Sequence, residues 1–92
     1  MTHPLQAHYD RVSALLLELR TALQDAPSFL RQRTFFDEYL SENELELALH
    51  AACDALLEKP RRACSEEVVK LISDAHNAME LHDGCVEALR AD

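Results

Sequence analysis

The sequence predicts an all-α protein, and three features of its composition favour that class. Its 92 residues include one Gly and three Pro, whereas the strong helix formers Ala, Leu and Glu are abundant. Val and Ile, which favour strands, are few. A chain of this length makes one domain, so we expect a single compact bundle over residues 1–92. Apolar periodicity divides it into four to five helices, over about residues 5–24, 29–40, 42–58, 66–80 and 85–90.

The first predicted helix begins beside Pro4, which a first turn tolerates because that N–H has no helical partner. Seven apolar side chains recur at spacings of three and four and form one stripe. Pro27 marks the end of this segment, because a proline disfavours the helical conformation of the residue before it. The stripe consists of Leu5, Tyr9, Val12, Leu15, Leu16, Leu19 and Leu23.

The second predicted helix holds four of the five aromatic side chains, which favours rings that fill the centre of a bundle. Two nearby arginines, Arg31 and Arg33, are too few to make these rings a nucleic-acid platform. Tyr39 is the ring expected to keep an exposed hydroxyl, so it is a candidate contact. The four aromatic residues are Phe29, Phe35, Phe36 and Tyr39.

A capping box is predicted between the second and third helices. Ser41 would accept from the first amides of the third helix, and Glu44 would return to the Ser41 N–H. This pattern starts the third helix at Glu42. Its expected buried face consists of Leu45, Ala48, Leu49, Ala52, Ala55 and Leu56.

The opposite face of the third helix predicts an acidic stripe. Glu46, His50, Asp54 and Glu58 step by four along it. Neighbouring carboxylates repel mildly, by roughly 0.2–0.5 kcal/mol a pair, so such a face suits a cationic partner. The alternative is a charged face that is simply solvated.

The remaining helices follow similar rules. Pro60 ends the third helix, and Ser65 caps the fourth, with acidic residues in its first turn. A turn around Gly84 then leads to a short last helix over residues 85–90. The side chains expected to face inward are Val68, Val69, Ile72, Ala75, Met79, Val86 and Leu89.

The charge balance predicts the class of partner. Nine Lys and Arg stand against seventeen Asp and Glu, a formal charge of −8. Nucleic acids and anionic membranes both need a cationic footprint, so neither is expected as a partner. Basic proteins are attracted, although an acidic surface also serves solubility alone. No apolar run approaches the roughly 20 residues that span a bilayer.

Cysteine usage and the lack of catalytic motifs narrow the expectations further. Cys53, Cys64 and Cys85 are odd in number, and no signal peptide precedes them, which indicates free thiols in a reducing cytoplasm. Cys53 is expected as a small core residue. The histidines lack the i, i+4 spacing of two metal ligands on one helix, and one Gly cannot build a phosphate loop. We therefore expect neither an enzyme nor a metal or other cofactor.

The central stretch resembles the MafI family of small bacterial immunity proteins over about residues 34–80. The resemblance is carried by residues 36–40 (FDEYL), 44–49 (ELELAL) and 54–58 (DALLE), with Asn43 and its neighbours where a glycine-containing turn is expected. It implies a cytoplasmic antidote that binds a cognate toxin domain, for example a nuclease with a basic cleft. Carboxylates would then occupy the places of phosphates.

The acidic composition and this resemblance predict the same kind of surface. The alternative is a helical adaptor or regulatory subunit that binds a basic partner or self-associates, for example as a homodimer. Glu44 is expected to be a cap rather than a contact. The candidate partner-binding residues are Asp37, Glu38, Tyr39, Glu42, Glu46, Asp54 and Glu58.

Overall fold

The computed structural model describes residues 4–58, 65–82 and 84–91. Over these residues the chain forms helices and no strand, which confirms the all-α prediction. The predicted residues Pro60, Cys64 and the rest of 59–64 lie outside the described part. The helices are α1 (Pro4–Ala22), α2 (Pro27–Ser41), α3 (Leu45–Leu57), α4 (Glu66–Ala78) and α5 (Cys85–Arg90).

The core lies where two helix pairs meet. α2 packs most extensively on α3, and α1 packs on α4 while also reaching α3. Phe29 and Phe36 are fully buried, with ring centroids 5.3 Å apart in an edge-to-face arrangement. Such a pair adds about 0.5–1.5 kcal/mol to the burial of the rings. The other large, fully buried side chains are Val12, Leu16, Leu19, Leu49 and Ile72.

Two aromatic residues depart from the predicted core. Phe35 is 52% exposed and Tyr9 is 37% exposed. Tyr9 lies at the edge of the α1 stripe, where a small change in helix rotation decides exposure. Phe35 directly precedes the buried Phe36, so it lies about 100° away from it around α2. The side chain of Leu5 lies outside the described part of the structure. The rest of the α1 stripe follows the prediction, with Leu15 half-buried and Val12, Leu16, Leu19 and Leu23 buried.

The predicted capping box between α2 and α3 is wrong. Ser41 belongs to the last turn of α2, and its hydroxyl donates to the Glu38 carbonyl at 2.8 Å. α3 begins at Leu45 rather than Glu42, and Glu44 is its N-cap without a side-chain cap bond. The serine thus serves the carbonyl end of one helix rather than the amide end of the next.

A Schellman turn replaces the box. Asn43 has a left-handed φ of 59°. Its N–H donates to the Leu40 carbonyl at 3.1 Å, and the Glu44 N–H donates to the Tyr39 carbonyl at 2.8 Å. These two bonds satisfy carbonyls that a helix end otherwise leaves without partners. Asn is the residue that best tolerates this conformation after Gly, which explains why the turn forms without glycine.

α4 ends in the same way. Glu80 has a φ of 56°. Its N–H donates to the Asn77 carbonyl at 3.2 Å, and the Leu81 N–H donates to the His76 carbonyl at 2.9 Å. At its start, α4 confirms the predicted cap, since Ser65 Oγ accepts from the Val68 N–H at 3.2 Å. Gly84, with a φ of 80°, then starts α5.

A disulfide joins α3 to α5. Cys53 and Cys85 are bonded, with Cα atoms 6.3 Å apart, within the range that disulfides require. The prediction of free thiols is therefore wrong for these two residues. Their sequence separation of 32 conceals the contact, which exists only because α5 folds back onto α3 and α4.

Candidate functional site

The seven predicted contact residues fall into two groups. Glu38, Glu42, Glu46 and Asp54 are exposed. The other three, Asp37, Tyr39 and Glu58, are half-buried and already engaged within the chain. The difference between the groups decides which carboxylates remain for a partner.

Asp37 is bound by α1. Arg20 Nε donates to Asp37 Oδ1 at 2.7 Å, and Arg20 Nη2 donates to Oδ2 at 3.0 Å. Arg33 Nε lies 3.8 Å from the same carboxylate. The hydrogen bonds from Arg20 lower the pKa of Asp37, opposed by partial desolvation and aided by the charges of both arginines. This two-bond fork fixes α1 against α2, so Asp37 has an intramolecular role whatever else it contacts.

Glu58 and Tyr39 also serve the fold. Glu58, the C-cap of α3, forms an ion pair with Arg31 of α2. Tyr39 packs against the hydrophobic core, and its carbonyl accepts from the Glu44 N–H in the Schellman turn. Tyr39 is therefore less accessible than predicted.

A groove lies beside the α2–α3 turn. It has a volume of about 570 Å³. Tyr9 and Leu47, which are 37% and 41% exposed, supply apolar area. Glu44 and Glu46 supply exposed carboxylates. We call this surface the acidic groove; its lining residues are His8, Tyr9, Asn43, Glu44, Leu45, Glu46, Leu47 and Met79.

Two more exposed acids lie at the end of α2, outside the lining of the acidic groove. Glu38 and Glu42 are both exposed and lie four positions apart, on the same side of the helix end. Together with Glu44 and Glu46 they place four carboxylates around one turn. Sequence reasoning found three of these acids, but it missed Tyr9 and Leu47, because their apolar character assigned them to a core or left them unnoticed.

Asp54 lies elsewhere on α3. It lines a second cavity of about 330 Å³ with His50, Leu57 and the two bonded cysteines. The predicted acidic stripe therefore divides between the two cavities and the Arg31–Glu58 ion pair. The stripe continues along α3, but its residues have different neighbours.

Three potential metal ligands meet at the disulfide. Cys53 of α3, His76 of α4 and Cys85 of α5 are all buried, and their ligand atoms lie within 4.8 Å of one another. His76 is 4% exposed, and its Nδ1 lies 2.8 Å from the Ile72 carbonyl. No local spacing predicts this cluster, because each residue comes from a different helix.

In comparisons with protein-family models, with curated proteins and with solved structures, nothing matches this chain. The resemblance to the MafI family therefore stays a hypothesis. Within the described residues, no helix is both long enough and apolar enough to cross a membrane.

Proposed function

We propose that this protein is an immunity protein that binds a cognate bacterial toxin domain and neutralises it stoichiometrically in the cytoplasm. The observation that carries the proposal is the acidic groove, in which exposed apolar side chains lie beside exposed carboxylates. The resemblance of residues 34–80 to the MafI family supports the same function.

Charge favours a basic target. A protein of net charge −8 approaches a cationic surface faster than a neutral one does. The active sites of nucleases are lined by cations that bind phosphate, and carboxylates can make the same charge-assisted hydrogen bonds. Glu38, Glu42, Glu44 and Glu46 surround the α2–α3 turn and would supply these bonds.

Apolar contacts would slow the dissociation of the complex with the toxin domain. Interface energy concentrates in a few buried aromatic or aliphatic anchors, surrounded by polar groups that exclude water. Tyr9 and Leu47 fit the first role in the acidic groove, and the glutamates fit the second. Asp37 and Glu58 would contribute less, because their oxygens already bind Arg20 and Arg31.

The first test is co-expression with the toxin-like reading frame that neighbours this gene. Co-purification of a one-to-one complex and rescue of growth are the expected results. If the chain neither co-purifies with the neighbouring product nor protects cells from it, the proposal is wrong.

The second test separates steering from anchoring. The Glu42→Lys/Glu46→Lys double variant should slow association and reduce its dependence on salt, as measured by stopped flow at two ionic strengths. The control is Glu18→Lys/Glu87→Lys, which changes the net charge equally at exposed positions on α1 and α5. Equal association rates for the two variants would place the interface away from the acidic groove.

The anchors are tested through dissociation. Tyr9→Ala and Leu47→Ala should each raise the dissociation rate by about tenfold or more, the effect of an interface hot spot. Phe35→Ala removes a more exposed aromatic ring, from α2, and should leave the rate unchanged. The reverse order of effects would move the interface to α2.

The alternative function is a self-associating adaptor or regulatory subunit. It is favoured by three apolar side chains outside the groove, Leu17, Leu30 and Phe35, each about half exposed. Sedimentation of the isolated chain addresses it. A homodimer that Phe35→Glu dissociates, in a protein that binds no toxin, would replace the proposed function with this one.

A further inference from the structure

We propose that Cys53, His76 and Cys85 form a binding site for a thiophilic divalent cation, Zn²⁺, when the disulfide is reduced. The disulfide is then the metal-free, oxidised form of the same site. This proposal is independent of the toxin-binding function, because it concerns the opposite end of α3 from the acidic groove.

The donor set suits zinc. Thiolate and imidazole are its preferred ligands, and sites with two cysteines and one histidine leave a fourth position for water. Bond lengths of about 2.3 Å to sulfur and 2.0–2.1 Å to nitrogen place tetrahedral ligands within 4 Å of one another. The three ligand atoms here lie within 4.8 Å of one another, close to the separation that a tetrahedral site requires.

The hydrogen bond of His76 fixes the tautomer of its neutral ring. A carbonyl oxygen only accepts, so the Nδ1–H of His76 donates to the Ile72 carbonyl at 2.8 Å. In the neutral ring the lone pair is then on Nε2, which we assign as the ligating atom. Metal-binding histidines characteristically donate their other ring N–H to a carbonyl or carboxylate in this way.

The second cavity supplies the remaining position. It is lined by both cysteines and by His50 and Asp54, with a volume of about 330 Å³. That volume exceeds the roughly 30 Å³ that one water occupies in the liquid. A water molecule can therefore complete a tetrahedral site from this side.

The conversion between the two forms balances with a low-molecular-weight thiol as reductant. Two RSH molecules are oxidised to RSSR, the bond between the Cys53 and Cys85 sulfurs breaks, and each sulfur gains one electron and one proton. Zn²⁺ then displaces both thiol protons. Two thiolates and one Zn²⁺ sum to zero charge, so the buried site does not hold an uncompensated charge.

The experiment is a Co²⁺ titration of the full chain, fully reduced and carrying Cys64→Ser to remove the third thiol. We expect one Co²⁺ per chain, with sulfur-to-cobalt charge-transfer absorption in the near ultraviolet and visible bands of tetrahedral coordination. Zn²⁺ should displace the Co²⁺. The oxidised chain should show none of these bands.

Variants assign the ligands. Cys53→Ser, Cys85→Ser and His76→Gln should each weaken Co²⁺ binding by roughly 10–100-fold or more, because the loss of even an outer-shell partner typically costs that much. His82→Gln is the matched control, because His82 is exposed and lies outside the cluster. Binding that survives Cys85→Ser, or equal affinities for the two histidine variants, would overturn the proposal.

Two further outcomes are decisive if a variant or the reduced chain unfolds. In the wild-type sequence, ¹⁵N shifts of the histidine rings should show that Zn²⁺ perturbs His76 Nε2 and leaves His82 unchanged. A reduced chain that unfolds and is refolded by Zn²⁺ supports the site. A reduced chain that Zn²⁺ neither refolds nor binds, or a perturbation at His82 instead, contradicts it.

Discussion

The two helical hairpins α2–α3 and α4–α5 have the same type of turn, but their second helices are held in place differently. Both first helices end in a Schellman turn with a non-glycine residue in the left-handed conformation, Asn43 in one and Glu80 in the other. α2 and α3 pack extensively on each other, and α2 contributes the buried Phe29 and Phe36. α5 has only six residues, so it buries little. Cys85 bonds it covalently to Cys53 of α3.

This difference determines which polar side chains each hairpin leaves at the surface. Extensive apolar packing holds α2 and α3 without using the acids at their turn, so those carboxylates remain at the surface. α5 lacks that area, and a disulfide joins it to α3 rather than to α4; the two sulfurs lie within 4.8 Å of the ring of the buried His76. The α2–α3 hairpin therefore exposes carboxylates at its turn, whereas the α4–α5 hairpin buries His76 and Cys85.

The largest expected effect concerns the aromatic packing of α2–α3. Phe36→Ala should lower the free energy of unfolding by about 3–5 kcal/mol, because it removes a fully buried ring and leaves a cavity. Denaturant titration measures it. Phe35→Ala, at a position 52% exposed, is the adjacent control and should change stability by less than about 0.5 kcal/mol. Similar losses for both would show that packing does not distinguish the two faces of α2.

Reduction of the disulfide should be the next largest effect, and it should be local. Closing a loop of this length stabilises a protein by about 2–4 kcal/mol, so the metal-free reduced chain should lose that amount in urea unfolding. Amide exchange in α5 should rise more than in α2 and α3. The Cys64→Ser chain should behave as the parent does. Uniform loss of protection over all helices would contradict the contrast between the hairpins.

Glycine substitutions at the two Schellman turns should have a smaller effect, and they should stabilise the protein. Glu80→Gly should stabilise the protein by about 1 kcal/mol, because a left-handed conformation costs a side-chain-bearing residue about that much. Asn43→Gly should gain less, since Asn tolerates this conformation. Lys70→Gly, at an exposed position inside α4, should instead destabilise by about 0.5–1 kcal/mol. Thermal unfolding of the three variants checks the order.

The smallest effect is that of the Arg20–Asp37 pair. Asp37→Asn should cost no more than about 1 kcal/mol at pH 7, because the side chains of Asp37 and Arg20 are 41% and 33% exposed. The folded-state pKa of Asp37 is lowered, so the stabilisation is present above the unfolded pKa of about 3.9 and is lost as pH falls through the folded value.

Unfolding at pH 7 and again at acid pH tests this sign. The difference between the parent chain and Asp37→Asn should shrink towards zero once the carboxyl is protonated. The control is Glu46→Gln, which removes one exposed carboxylate and should change stability at pH 7 by less than about 0.5 kcal/mol. A difference that persists at acid pH would mean that Asp37 acts through packing rather than charge.

Local patterns predicted some features and not others. The Ser65 cap, the buried pair Phe29 and Phe36, and the buried face of α3 except Leu56, which is half-buried, depend on neighbours within one or two turns, so local patterns were sufficient for them. The α2–α3 turn was mispredicted because Ser41 fits both a cap and a last turn. Backbone bonds to the Tyr39 and Leu40 carbonyls favour the second arrangement.

The candidate site shows the same division. Glu38, Glu42 and Glu46 are exposed, as amphipathic patterns predict. In contrast, Asp37 binds Arg20 of α1, and Glu58 binds Arg31 of α2. No sequence spacing indicates that Arg20 reaches Asp37, or that Tyr9 lies beside the start of α3. Those contacts depend on how the helices cross.

The sequence by itself determined the all-α class, a count of four to five helices and the acidic composition, because helix propensity, apolar period and charge are local or additive properties. Only the tertiary structure decided which acids remain exposed, and that Cys53, His76 and Cys85 meet in the interior. Three helices must pack before those residues become neighbours, and packing depends on the shape of every buried side chain at once.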